Sequence, residues 1–297
     1  MEDGLPGAAK NTGDDARLFV IPGRERKRAN PESRRPTRQT IILALDSGST
    51  ASRCPGMTRK ERNRMPTIKV LSAGAVRSMV ETLGPEFEHA SGNTLNVTFA
   101  TAFAQRERII NGAAADLVIV SESIIAELEK LGLVVAGSPK NLGRTVTGVI
   151  VPEGSAEPDI STPEAFKQAL LKAKSVAYTD PKAGGSGGIM FAGLLEKLGI
   201  ADAVNAKAVL CKGGLDVSTT IAAGRAEIGT TFISEALPVK GIKVVGPLPG
   251  DLYNANTYTA AIHKAAIERE GATAFLAALT NPATRARWTA AGLEPEF

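Results

Sequence analysis

Chemistry-bearing side chains are scarce in this chain. Its 297 residues hold two cysteines, Cys54 and Cys211, two histidines, His89 and His263, one tryptophan and three tyrosines. Two cysteines so far apart build neither a disulfide framework nor a zinc site. With two histidines, metal chemistry has few ligands to use, so neither a metal nor a cofactor is expected. No apolar run reaches the roughly 20 residues a membrane-spanning helix needs, and no membrane insertion is expected. Ser72 lies in no G-x-S-x-G elbow, which removes the commonest serine-hydrolase pattern.

Basic charge is also missing where nucleic acid would need it. Residues 1–65 carry 14 Lys and Arg against 8 Asp and Glu, whereas the rest carries 21 against 23. The overall excess of +4 therefore belongs to the N-terminal segment, and the body is near neutral. A nucleic-acid partner, which wants a basic face on the fold itself, is not expected.

Residues 1–65 mix Gly, Pro, Arg, Asp and Ser without a sustained period, as in RERKRANPESRRPTRQ. They read as disordered, or as the product of a mis-assigned start with Met57 or Met65 as the true one. The apolar patch Ile41–Leu45 is too short for a secretory core of about 7–15 residues. As written, the chain is therefore expected to be cytoplasmic.

From Thr67 the pattern turns regular. Strand, small-residue loop and helix follow one another in IKVLSAGAVRSMVETLGPEFE, LNVTFATAFAQRERIINGAAA and DLVIVS. A second run follows through RTVTGVIV, a helix opened by Thr162 and Pro163 and ending at Lys172, the strand Ser175–Thr179, the loop DPKAGGSGG, a helix Ile189–Leu198, and EIGTTF. Asn256–His263 reads as a strand returning to the first sheet. Alternation of this kind predicts an α/β fold with parallel strands and right-handed crossovers. Two such units joined by crossing strands predict two lobes with a cleft between them. Lobe 1 would hold residues 66–145 plus about 251–297, and lobe 2 residues 146–250.

The loops suggest the chemistry. A helix start exposes unpaired N–H groups and the positive end of the helix dipole. Small residues there let an anion come close. The candidate ligand-binding positions are Ser72, Ala73, Gly74 and Ala75 in the first loop and Thr101 and Ala102 in the second. Gly184, Gly185 and Ser186 lie in a third, AGGSGG, which lacks the Gly-Lys-Ser/Thr ending of a nucleotide loop and otherwise reads as a turn. Arg77, Arg106 and Lys182 stand near these loops as carboxylate clamps or as solvated surface charges. Tyr178, at a strand end, offers a ligand hydroxyl or only packs. Glu235 is either a structural ion-pair partner or a base, and His263 either a packed core residue or a base.

The words LSAGAVRSMVETLGPEFE, FATAFAQRERIINGAAADLVIVS, TDPKAGGSGGIMFAGLLEKLG and AAGRAEIGTTFISEA resemble those of periplasmic substrate-binding proteins of ABC transporters, in the molybdate- and tungstate-binding branch. The resemblance covers nearly everything after Met65. It implies a type II binding-protein fold, a small anionic ligand held between hinged lobes, an ABC permease as partner, a periplasmic location and a monomer. Family members hold molybdate with two loop serines and a tyrosine. Those positions fall here near Ala75, near Thr101 or Ala102, and at Phe232, so three hydroxyl donors are lost or moved. Each such loss costs on the order of 1.5–3 kcal/mol toward a charged ligand. Some proteins resembling this branch are aconitate isomerases, for which Glu235 or His263 would be the base and the three cations the clamps. The alternatives are therefore a binding protein for an oxyanion or organic carboxylate and an isomerase on the same scaffold.

Overall fold

The computed structural model describes residues 65–297. The expectations placed on residues 1–64, including Cys54 and a start at Met57, lie outside them. No helix among the described residues is long and apolar enough to cross a membrane.

The first half begins with β1 (Thr67–Ala73), which passes through one tight turn, Gly74–Val76, into α1 (Arg77–Ser91). That helix buries Met79, Val80, Leu83 and Phe87, a three-and-four spacing that places them on one face. It ends at Gly92, whose φ of 71° is left-handed and costs a glycine little. Then come β2 (Thr94–Ala100), α2 (Ala102–Ile110), β3 (Leu117–Ser121) and α3 (Glu122–Lys130). β1 pairs in parallel with both β2 and β3. Every residue of β3 is buried, as expected of a strand covered on both faces.

β4 (Lys140–Pro152) is the long strand that joins the halves. The second half holds α4 (Pro163–Lys172), β5 (Val176–Thr179), α5 (Ser186–Lys197), α6 (Ala201–Asn205), β6 (Ala208–Cys211), α7 (Gly214–Ala222), β7 (Ile228–Phe232), α8 (Ile233–Ala236) and β8 (Ile242–Pro247). Thr162 caps α4 by accepting from the Ala165 amide at 3.1 Å, with Pro163 at the first helical position. β5 pairs in parallel with β6 and β7. The chain returns through β9 (Ala255–Ile262), then α9 (Arg269–Leu279), α10 (Arg285–Ala290) and the short β10 (Glu294–Pro295).

The strand order is β2-β1-β3-β9-β4-β7-β5-β6, with β8 and β10 also on β4. β4 does double duty. Its residues Lys140–Val146 pair antiparallel with β9, and Thr147–Ile150 pair antiparallel with β7. Because β9 and β4 each reverse direction, the parallel strands of the two halves run in opposite senses. Their carboxyl ends meet at one cavity. One buried apolar cluster fills the first half, around Trp288, Phe275 and Ile119, and two smaller ones flank the second-half strands.

The sequence pattern misses α6, α8 and β10, which are too short to show a period. It also starts α5 three residues late. Ser186, Gly187 and Gly188 form the first turn of that helix rather than a loop, because a start packed against β5 has no room for larger side chains.

Candidate functional site

A cavity of about 510 Å³ lies where the strand ends of the two halves meet. Four helix starts open on it. They are Gly74 and Ala75 before α1, Thr101 and Ala102 at α2, Gly185–Gly187 at α5, and Gly213–Leu215 at α7. Each of these helices has at least nine residues, so each presents a developed dipole to the cavity.

The loops at α2 and α5 touch. Thr101 accepts from the Ala104 amide at 3.3 Å and donates its hydroxyl to the Ala183 carbonyl at 2.7 Å. The Phe103 amide donates to the Gly184 carbonyl at 3.2 Å. The Thr101 hydroxyl is thus spent on backbone, as helix cap and as bridge between the halves.

Hydroxyl groups come instead from β7. Thr230 and Thr231 line the cavity and are 3% and 4% exposed; the Thr230 hydroxyl has no hydrogen-bond partner, and the Thr231 hydroxyl lies against the Glu235 carboxyl. A buried unpartnered polar group costs free energy, so the Thr230 hydroxyl beside a cavity points to a ligand. Phe232 follows them on the wall, and its ring meets that of Tyr258 edge-on at 6.2 Å. Burial pushes the Tyr258 phenol far above its usual range, as does the nearby Glu235 charge. The Asn256 side chain and the Ser186 hydroxyl pull weakly the other way. Tyr258 therefore remains a neutral donor. It supplies from β9 a phenol in the neighbourhood where residue 232 has none.

Glu235, in the short α8, sends its carboxyl into the same wall. Burial pushes it up to about 7, against the opposing pull of the Arg77 charge, the Thr231 hydroxyl and the Gly214 amide. That brings its titration into the neutral range. Arg77 lines the cavity with its guanidinium 4.0 Å from the Phe99 ring centroid and 3.1 Å from Glu81. Lys212 is exposed at the edge, just before α7. Asp216, in the first turn of α7, accepts from the Lys212 amide at 2.9 Å.

Of the residues picked from sequence, the structure brings Ala73, Gly74, Ala75, Arg77, Thr101, Ala102, Gly185, Ser186, Phe232 and Glu235 to this wall. It places six others elsewhere. Ser72 is fully buried one residue before the strand end, with its hydroxyl on the Ala73 carbonyl. Gly184 faces Phe103, outside the lining. Arg106 lies a turn into α2 and turns toward α3, where its Nε donates to Glu127 at 2.7 Å and the guanidinium also meets Glu107. Lys182 is exposed on the Pro181–Ala183 turn, beside a separate small pocket. His263 follows the last residue of β9, five residues beyond Tyr258 and about 17 Å away at strand spacing. There it is buried, and burial pulls its pKa below the ordinary histidine value. Tyr178 packs rather than reaching a ligand: its ring meets Phe191 at 5.0 Å and its hydroxyl donates to Asn205. Sequence reasoning passed over Thr230, Thr231, Lys212, Gly214 and Tyr258. The doubled threonine in EIGTTF was the one visible signal among them.

The profile described as bacterial extracellular solute-binding protein matches residues 68–294. An aconitate isomerase from a Pseudomonas species is 30% identical over 234 residues, covering 77% of this chain and 88% of that protein. The molybdate-binding protein ModA of Escherichia coli (strain K12) is 24% identical over 198 residues, covering 66% of this chain and 76% of ModA. Among solved structures, the periplasmic molybdate-binding protein of Azotobacter vinelandii superposes with a TM-score of 0.63 at 20% identity, over 77% of this chain and all of that one. The architecture is the two-lobed periplasmic-binding-protein fold. With its profile spanning nearly all the described residues, this chain belongs to the bacterial extracellular solute-binding protein family.

Proposed function

We propose that the chain captures a small organic anion between two lobes, residues 66–145 with 251–297 and residues 146–250, and presents it to an ABC-type permease. The observation that carries this reading is the convergence of four helix starts on one cavity. Each start that the ligand reaches contributes about 0.3–1 kcal/mol toward an anion, and more where the site is dry. Each hydrogen bond to the charged ligand adds on the order of 1.5–3 kcal/mol. The volume favours an organic acid over a tetrahedral oxyanion, since about 510 Å³ falls in the range of roughly 300–1,000 Å³ usual for organic ligands. Opening would bend β4 near Val146, where its partner changes from β9 to β7, and would part Thr101 from Ala183.

A thermal-shift panel of molybdate, tungstate, sulfate, phosphate, citrate and the aconitates tests this directly. At least one should raise the melting temperature, and no shift with any of them refutes anion capture. Thr230→Val should weaken the best ligand by tenfold or more. The same change removes an unpartnered hydroxyl, so the ligand-free protein should melt no lower than wild type. Calorimetric titration and a melt measure the two effects separately.

A second reading has its own support. Glu235, poised near neutral pH in the cavity wall, has the protonation behaviour of a residue that removes a proton from carbon and returns it. Arg77 and Lys212 stand where carboxylates could be clamped, and the 30% likeness to an aconitate isomerase is in keeping with such a shift on a di- or tricarboxylic acid. Incubation with cis- or trans-aconitate should then give the other isomer by chromatography. Glu235→Gln should slow this at least 100-fold with binding retained. Absence of turnover on either isomer removes the second reading and leaves the first.

A further inference from the structure

Glu235 does not merely border the cavity. Its carboxyl is lodged between two helix starts. A Cβ built on Gly74 would lie 2.8 Å from Oε1, and one built on Gly214 would lie 2.1 Å from Oε2 and 2.3 Å from the Thr231 hydroxyl. The two glycines thus form a cradle shaped to the carboxyl, at the points where α1 and α7 present their N–H groups. An anionic side chain already sits where the most convergent donors are.

Resting on the anion-capture reading, we propose that Glu235 determines ligand class: its carboxyl fills the seat between Gly74 and Gly214 that a tetrahedral oxyanion would occupy. A compact tetrahedral anion needs donors converging on one small volume. With that seat taken, the donors left over are spread around the wall, at the starts of α2 and α5, on Arg77 and on Lys212. An extended carboxylate can reach several of them at once, and a molybdate or sulfate ion cannot. The unpartnered Thr230 hydroxyl lies on the same wall and completes the donor set.

The seat also couples capture to protons. Arg77 from α1, Lys212 and Asp216 at the start of α7, and Tyr258 from β9 are the charged or titratable groups that share the cavity wall with Glu235; β4, β7 and β8 place none there. A bound anion favours the neutral form of Glu235, which then donates rather than repels. Carboxylate affinity therefore falls as pH rises through neutrality.

The test is calorimetric titration of citrate, cis-aconitate, molybdate and sulfate into wild type, Glu235→Ala and Glu235→Gln at pH 6 and pH 8. Melting curves of the free proteins establish that each variant is folded. Wild type should bind a carboxylate at least tenfold tighter than either tetrahedral ion, and more weakly at pH 8. Glu235→Ala should tighten molybdate or sulfate at least tenfold by vacating the seat. Glu235→Gln keeps the seat filled and should keep the preference while losing the pH dependence. A wild type that prefers the tetrahedral ions, or anion preferences indifferent to residue 235, overturns this proposal and leaves anion capture standing. If wild type binds none of the four, and the wider panel also fails, the capture reading falls and this one with it.

Discussion

Asp116→Ala is expected to lower the unfolding free energy by about 4 kcal/mol, among the larger single-site losses in this fold. Asp116 is 3% exposed and sits just before β3. One carboxylate oxygen accepts from the Lys69 amide at 2.8 Å. The other accepts from the Ile267 and Glu268 amides at 2.8 and 2.9 Å. The side chain therefore ties β1 to the approach of α9, whose start has no side-chain cap of its own. Alanine leaves three half-buried N–H groups without their acceptor, at roughly 1–3 kcal/mol each before water and relaxation offset part of the loss. For a body of this size the melting temperature should drop by roughly 8–16 °C. Asp116→Asn keeps one acceptor oxygen and should fall between the two. Urea melts decide the matter, and a variant as stable as wild type would show the clasp to be unimportant. Below its melting point the variant should bind anions normally, because Asp116 lies at the end of β3 away from the cavity.

This clasp illustrates which features the sequence makes legible. Strands with buried faces, and helices long enough to repeat a three-and-four spacing, are local, and Thr67–Lys130 reads almost directly as β1 through α3. The handover from strand to helix is local too, which is why Gly74, Ala75, Ala102 and Ser186 could be picked out. What depends on partners distant in the chain is not local. Tyr258 reaches the wall only because β9 returns antiparallel between β3 and β4. Gly214 carries no signal of its own until Glu235, 21 positions later, is seen to occupy the space its side chain would take. Arg77 and Arg106 look equivalent along the chain, each soon after a helix start. The first lies over Phe99 at the cavity, and the second lies where α3 offers it Glu127. Ala75 and Phe232, the positions expected to lack the family's hydroxyls, stand on the cavity wall, and that Thr230, Thr231 and Tyr258 share it with them needed the sheet.

Gly188→Ala should cost stability and the site together. Alanine is intrinsically the better helix former by about 1 kcal/mol, and Gly188 lies within α5 with no left-handed φ to protect. Space decides against it. A Cβ there would lie 2.2 Å from the Thr179 carbonyl oxygen and 2.9 Å from its carbon, both backbone atoms that no rotamer change can move. The first turn of α5 must then lift away from β5, and that turn carries Ser186 and Gly187 into the cavity wall. Forced overpacking costs about 1–3 kcal/mol and sometimes more, so the sign of the propensity effect is reversed. The melting temperature should fall by roughly 4–10 °C, and the ligand-induced rise should shrink more than tenfold in apparent affinity. Gly193→Ala supplies the comparison within the same helix. Nothing lies within 4 Å of its would-be Cβ, so this change should stabilise by about 0.4–1 kcal/mol and leave binding untouched. If both variants behave alike, close packing of α5 on Thr179 is not what positions this side of the cavity.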